Sequence, residues 1–219
     1  YSIKMASTSK MSSDQRESNA EDTKLNIVLD LDQTLISAEA TEDFDIKKNK
    51  KKMKNFSYHD MDGYYIVFER PNLQNFLDYL FENFNVSIWT AASKDYCLFI
   101  VDKIILQNHP ERKIDYIFFK YHCDYSSDKK SGTKDLSMLW DIYNIKGYNK
   151  NNTIILDDYD EVCDTQPENC IMAKPFEFNS DGSDKDDFLV VLMDKLRKLK
   201  DDVNSGKSLG AEIKKINKE

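Results

Sequence analysis

The sequence predicts a three-layer α/β fold with a central, mainly parallel sheet and short insertions. Two observations carry this. Apolar runs of strand length alternate with segments of helical periodicity, the pattern of β-α units. Two of those runs also end in closely spaced acids, Asp30 and Asp32 after Leu25–Leu29, and Asp157 and Asp158 after Thr153–Leu156. In open parallel sheets ligands bind beyond the carboxyl ends of the strands. The strand-ending residues are therefore the ones to inspect.

Taken in order, Leu25–Leu29 reads as a buried strand of a parallel sheet. Residues 37–63 are polar and read as an insertion, with Lys47–Lys54 as a lysine-rich, solvated mobile loop. Tyr64–Glu69 reads as a strand. Arg70-Pro71 then opens a helix with proline in its first turn. Leu73, Phe76, Leu77, Leu80, Phe81 and Phe84 give that helix its apolar face. Val86–Trp89 is the next strand, and Tyr96, Phe99, Ile100 and Ile104 mark another helix. Ile114–Tyr121 looks like a strand and 124–132 like a polar loop. Leu136, Leu139, Trp140 and Tyr143 define a further helix before the strand Thr153–Leu156. Phe188, Leu189, Leu192, Leu196 and Leu199 mark a C-terminal helix. The domain is expected over 24–201, between a disordered tail at 1–23 and a polar tail or helix extension at 202–219.

Bulk properties narrow the function. The 219 residues carry a net charge of -8, which argues against a protein that coats nucleic acid. No apolar run approaches the roughly 20 residues that span a bilayer, and no signal peptide is visible. Cys97, Cys123, Cys163 and Cys170 form no C-x-x-C pair, and the three histidines complete no zinc spacing. They read as reduced, mostly buried thiols of a nuclear or cytoplasmic protein. Nothing in the sequence demands more than a monomer.

The chemistry starts at Asp30-Leu31-Asp32-Gln33-Thr34. Alternate residues of an extended segment point the same way, so both acids face one pocket. Adjacent carboxylates repel unless a cation or proton intervenes, and a hard divalent ion such as magnesium satisfies them with oxygen ligands. One carboxylate can then attack phosphorus while its neighbour handles protons. Thr90, just after Val86–Trp89, offers a hydroxyl and a backbone N–H to a phosphate oxygen. Lys134 near a helix start would favour a phosphate in the pocket. Asp157 and Asp158 complete a shared acidic site. Read singly, Thr90 is a turn residue, Lys134 a surface lysine and the second acidic pair a solvated turn. Their order along one α/β chain is what carries specificity.

In that order, Val28–Ile36, Glu69-Arg70-Pro71, Ile88–Ser93, Lys134–Ser137, Ile155–Asp158 and Pro167-Glu168-Asn169 resemble the haloacid-dehalogenase superfamily. Within it they are most similar to phosphatases acting on the carboxy-terminal domain of RNA polymerase II. Small and ubiquitin-like-domain-containing branches are the relevant groups, and the resemblance runs from about Leu25 to Leu199. It implies a Rossmann-like haloacid-dehalogenase fold and a magnesium-dependent serine/threonine phosphatase working through an aspartyl-phosphate. Asp30 would be the nucleophile, Asp32 the acid/base and Thr34 its orienting partner. Leu31, Thr90, Ala91 and Lys134 would bind phosphate. Magnesium would be held by Asp30, the Asp32 backbone carbonyl and Asp158, with Asp157 turned toward Lys134 or a bound water. Lys120 stands where polymerase-specific members carry arginine and is a substrate-cleft candidate with a point charge instead of a fork.

The insertions at 37–63 and 108–132 are too short for a large cap, so the site is expected to be open and suited to an extended phosphopeptide. Tyr64, Tyr65, Tyr121 and Tyr125 lie near that cleft. The lysine block reads alternatively as a nuclear-import signal or a patch for an anionic partner. A small-molecule phosphatase and a catalytically silent binding module are the competing functions.

Overall fold

The computed structural model describes residues 24–218; the expected tail at 1–23 lies outside the described residues. Five strands form the central sheet: β1 (Asn26–Leu29), β5 (Asn85–Trp89), β6 (Ile114–Phe118), β7 (Thr153–Asp157) and β8 (Cys170–Met172). Their order is β6-β5-β1-β7-β8 and every pairing is parallel. β1 is central, so it is buried on both faces, and Ile27–Leu29 is a continuous apolar run after the buried Asn26.

Strand alternation separates two cores. Ile27 and Leu29 of β1, with Ile154 and Leu156 of β7, enter one apolar cluster; Val28 and Ile155 enter another on the opposite face. The first cluster is covered by α2 (Leu73–Asn83), α3 (Lys94–Ile100), a π turn at Val101–Ile105, and α7 (Phe188–Asn204). The second is covered by α4 (Lys120–Lys129), α5 (Ser137–Asp141) and α6 (Asp160–Thr165). The expected three layers are present.

Several expectations are corrected. Residues 37–63, read as a polar insertion with a mobile loop at the lysine block, carry regular structure. They hold β2 (Ile36–Ala40), α1 (Ile46–Met53) and β3 (Tyr58–Met61), and β2 and β3 flank β4 (Tyr65–Glu69) in an antiparallel sheet ordered β2-β4-β3. The lysine block is a helix because Asp45 caps it, its side chain accepting from Lys48 N at 2.9 Å, while Met53 is buried beneath. Phe44, Met53, Ile66, Phe68 and Phe178 form a third, separate cluster, with the Phe68 and Phe178 rings stacked at 3.7 Å.

Pro71 precedes the αL N-cap Asn72 instead of lying in the first turn of α2. The strand expected to reach Tyr121 stops at Phe118, and the expected loop at 124–132 is largely helix α4. His122 Nδ1 accepts from Phe119 N at 3.0 Å, which satisfies one of the orphan amides at the start of α4.

The polar tail at 202–219 contains α8 (Leu209–Ile216), whose Leu209 and Ile213 are buried in the main core. Cys163 and Cys170 form a disulfide between α6 and β8, their Cα atoms 5.0 Å apart, within bridging range. Only Cys97 and Cys123 remain as the free, buried thiols expected of all four. Among the described residues no helix is long and apolar enough to cross a membrane.

Candidate active site

β1 and β7 are neighbours in register, Leu29 opposite Leu156, so the acids that follow them emerge side by side. Asp30 N donates to Leu156 O at 3.0 Å, extending the ladder one residue into the site. Asp30 and Asp157 are 5% and 0% exposed, a depth at which carboxylates need a counter-charge. Lys134, 5% exposed, supplies it: Nζ donates to Asp30 Oδ1 at 2.5 Å and to Asp157 Oδ2 at 2.7 Å.

Lys134 lies in the turn before α5, three residues ahead of Ser137, and not on the helix itself. Three side chains that sequence reasoning missed hold this turn. Gln166 Nε2 donates to Lys134 O at 2.7 Å, and its Oε1 accepts from Leu136 N at 3.0 Å. The Glu161 carboxylate takes Thr133 N and Oγ1. Buried Ser126 donates to Gly132 O and accepts from Asp135 N. Nothing in their local sequence marks these residues, since Ser126 and Glu161 are polar positions on ordinary helices and Gln166 follows the end of α6.

Carboxylate oxygens of Asp30, Asp157 and Asp158 lie within 4.8 Å of one another. Three carboxylates against one ammonium leave excess negative charge, and hard oxygen donors at this spacing fit a divalent cation such as magnesium. Asp157 is already engaged, by Lys134 through Oδ2 and by Tyr159 N through Oδ1 at 3.0 Å. Asp158 is less buried and accepts from Thr34 Oγ1 at 3.3 Å. Thr34 thus touches Asp158, and its expected contact to Asp32 is replaced by a tyrosine. Tyr96 OH donates to Asp32 Oδ1 at 2.5 Å. The sequence marks Tyr96 only as part of an apolar helix face, which it also is.

Burial, and secondarily the Asp30 charge, pushes the Asp32 carboxyl up to about 6, although the Tyr96 hydroxyl works in the opposite direction. Burial followed by the charge of Asp30 also raises Asp157. Lys134 is held firmly protonated; burial opposes its charge, and the two carboxylates beside it more than offset that.

The loop 31–35 is shaped by its backbone. Gln33 adopts φ +58°, its N donates to Ile36 O at 2.8 Å, and Asp32 pairs with Ile36 through its main chain. Phe176 N closes on Gln33 O at 2.6 Å. Arg70, 1% exposed, sends Nη1 to Thr34 O at 2.9 Å and grips Asp186 with Nε and Nη2 at 2.8 and 2.9 Å. Leu31 is fully buried beside Asp30.

Thr90 is buried with its N on Phe118 O, and its Oγ1 accepts from Ala92 N at 3.0 Å. Ala91 is exposed at the tip of that loop. Lys120 joins the loop only by its backbone, N to Ala92 O at 2.9 Å; its side chain is exposed and paired with Asp124. Of the four tyrosines, Tyr65 packs edge-on against Tyr96, while Tyr121 stacks on Tyr125.

Carboxylates gathered at the C-terminal edge of a parallel sheet, with one lysine between them, are an arrangement suited to phosphoryl transfer in an α/β protein. Residues 25–206 match the description "NLI interacting factor-like phosphatase", and the chain belongs to that family, a phosphoprotein phosphatase family. A putative CTD phosphatase-like protein 355R of Invertebrate iridescent virus 6 is 46% identical over 177 residues, covering 79% of this chain and 97% of that protein. Its namesake in Invertebrate iridescent virus 3 is 40% identical, covering 80% and 96%. Ubiquitin-like domain-containing CTD phosphatase 1 of Xenopus tropicalis is 27% identical over 59% of this chain and 42% of its own length. Among solved structures, the RNA polymerase II CTD phosphatase Fcp1 aligns with TM-score 0.47 and 18% identity, covering 84% of this chain and 53% of that one.

Proposed function

We propose that the chain hydrolyses phosphoserine or phosphothreonine in extended peptides through an aspartyl-phosphate on Asp30, with magnesium, and that tails like that of RNA polymerase II are its substrate class. The observation that carries this is the Lys134 ammonium bridging Asp30 and Asp157 within a buried acidic cluster. Phosphoryl transfer needs positioning and charge neutralisation more than covalent help from many groups.

An Asp30 oxygen attacks phosphorus, and the bond from phosphorus to the seryl oxygen breaks. Asp32 gives its proton to that leaving oxygen. Asp32, now a carboxylate, takes a proton from water, whose oxygen attacks phosphorus and releases Asp30 and inorganic phosphate. Lys134 neutralises charge on the phosphoryl oxygens, and Thr90 orients them with its hydroxyl. A bound divalent cation, held by Asp30 and Asp158, would supply further positive charge at the same oxygens. Asp32 suits the acid role because it retains a proton near neutrality better than an ordinary carboxyl. A groove of about 840 Å³ has Asp158 on its wall and otherwise runs past Phe176 and Phe188, away from Asp30 and Lys134.

The test is phosphate release from phosphorylated heptad peptides and from small phosphate esters, with and without magnesium. Peptide turnover that depends on magnesium and is abolished in Asp30→Asn supports the reading. Turnover of small metabolites alone, or full activity of Asp30→Asn, overturns it.

A further inference from the structure

We propose that the exposed lysine face of α1 is a docking site for a second anionic group, a further phosphate or an acidic cluster, on the same phosphopeptide. This rests on the phosphopeptide reading above and extends it to substrate selection.

The stretch Ile46–Lys54 holds six lysines and no acid in a chain of net charge -8. Lys47, Lys48, Lys50, Lys51 and Lys54 are exposed, and none joins an ion pair among the described residues. Lysines three and four apart repel on a helix, each like pair costing a few tenths of a kcal/mol. The fold offsets that cost with the Asp45 cap and with the aromatic cluster beneath Met53, which anchor the helix that carries the cationic face. Lys52 is spent on structure: Nζ donates to Ser180 O at 2.7 Å and lies over the Phe178 ring.

A path joins this face to the chemistry. A cleft of about 320 Å³ is lined by Asp32, Gln33, Ala38, Glu39, Glu177 and Asn179. It leads from the acid/base along β2 to Glu39, whose carboxyl lies close enough to Lys52 to feel its charge. β2 has five residues, about 17 Å at about 3.4 Å per residue, and an extended peptide advances at the same rate. A second anion about five to seven residues from the hydrolysed phosphate therefore reaches the lysines.

The experiment compares a singly phosphorylated peptide, one with a second phosphoserine six residues away, and p-nitrophenyl phosphate, using the wild type and K47Q/K48Q/K50Q/K51Q. Glutamine keeps helix propensity while removing charge. The wild type is expected to show a KM about five- to tenfold lower for the doubly phosphorylated peptide. The gap should close near 1 M salt, where the screening length is about 3 Å. The quadruple variant should lose the gap yet keep its p-nitrophenyl phosphate turnover.

Equal KM values in the wild type, or a gap that survives in the variant, overturns the proposal. So does a variant that loses affinity for an oligonucleotide while both peptide KM values stay put. If no phosphopeptide is turned over at all, the functional reading fails. Docking is then decided by fluorescence anisotropy of the labelled doubly phosphorylated peptide: tighter binding to the wild type than to the variant supports it, and equal binding refutes it.

Discussion

The central sheet and the small sheet treat charge in opposite ways. At the edge of the parallel sheet, Asp30, Asp157 and Lys134 are almost wholly buried, and each is hydrogen-bonded to another. On the antiparallel sheet, four lysines of α1 and the Lys54 that caps it stand in solvent with no ion-pair partner among the described residues. Buried charge is tolerated only when paired, because removing one partner strands the other away from water. Exposed charge costs little, so it can remain unpaired and act at a distance. In the proposed function bond-breaking belongs to one sheet and encounter to the other, and that division can be attacked from both sides.

Asp30→Asn is the most severe test of the buried side. It nearly preserves shape while removing the anion proposed to attack, and kcat should fall by roughly three to four orders of magnitude. Steady-state assays on p-nitrophenyl phosphate check this. Lys134→Ala should cost about 3–5 kcal/mol of folding stability at neutral pH, since Asp30 and Asp157 lose their shared cation. Urea titration should show that deficit shrinking as pH falls, because Asp157, whose proton affinity is raised, becomes neutral first.

On the other side, Phe178→Ala removes a fully buried ring from a cluster that does not touch the main core. A loss of about 3 kcal/mol is expected there. Amide exchange should quicken in β2–β4 and α1 and stay slow in β1 and β7. If β1 and β7 loosen equally, the two sheets are one cooperative unit.

Tyr96→Phe probes the junction. The hydroxyl favours the ionised Asp32, so its removal should raise that carboxyl further above about 6. An acid catalyst is lost as pH rises through its pKa, so the alkaline limb of kcat should move upward in pH. A pH profile reads this, and an unmoved limb would detach Tyr96 from the chemistry. The smallest effect belongs to Gln33. Gln33→Gly should be near neutral, whereas Gln33→Val should lose about 1–2 kcal/mol, since a β-branched residue resists φ +58°.

What the sequence displays follows the same division. β1, β5 and β7 are legible because strands buried on both faces are mostly apolar, with Ile27–Leu29 and Ile154–Leu156 unbroken and β5 interrupted at Ser87, and the acids that close β1 and β7 stand out against that background. Lys134 is legible only through its order relative to those acids. β3 is illegible: Tyr58–Met61 is half exposed and has no apolar run. α1 looks like a solvated loop because its apolar anchor is the single residue Met53. α8 is hidden by its lysines, although Leu209 and Ile213 carry its burial. The Cys163–Cys170 bond could not be read either, since it depends on α6 turning back onto β8. Tyr96 and Gln166 escape for a further reason: hydrogen bonds between distant elements leave no local pattern.

Arg70 has a consequence for how the enzyme comes into being. Its guanidinium ties the carbonyl of Thr34 to Asp186 and lies over the ring of Phe188, so residues near both ends of the domain meet on one side chain. A ribosome that has delivered residues as far as Pro175 has already produced every acid and the lysine, but not the clasp that fixes the turn carrying Asp32. Half-made chains would therefore be idle, and competence would arrive in one step as the last helices dock.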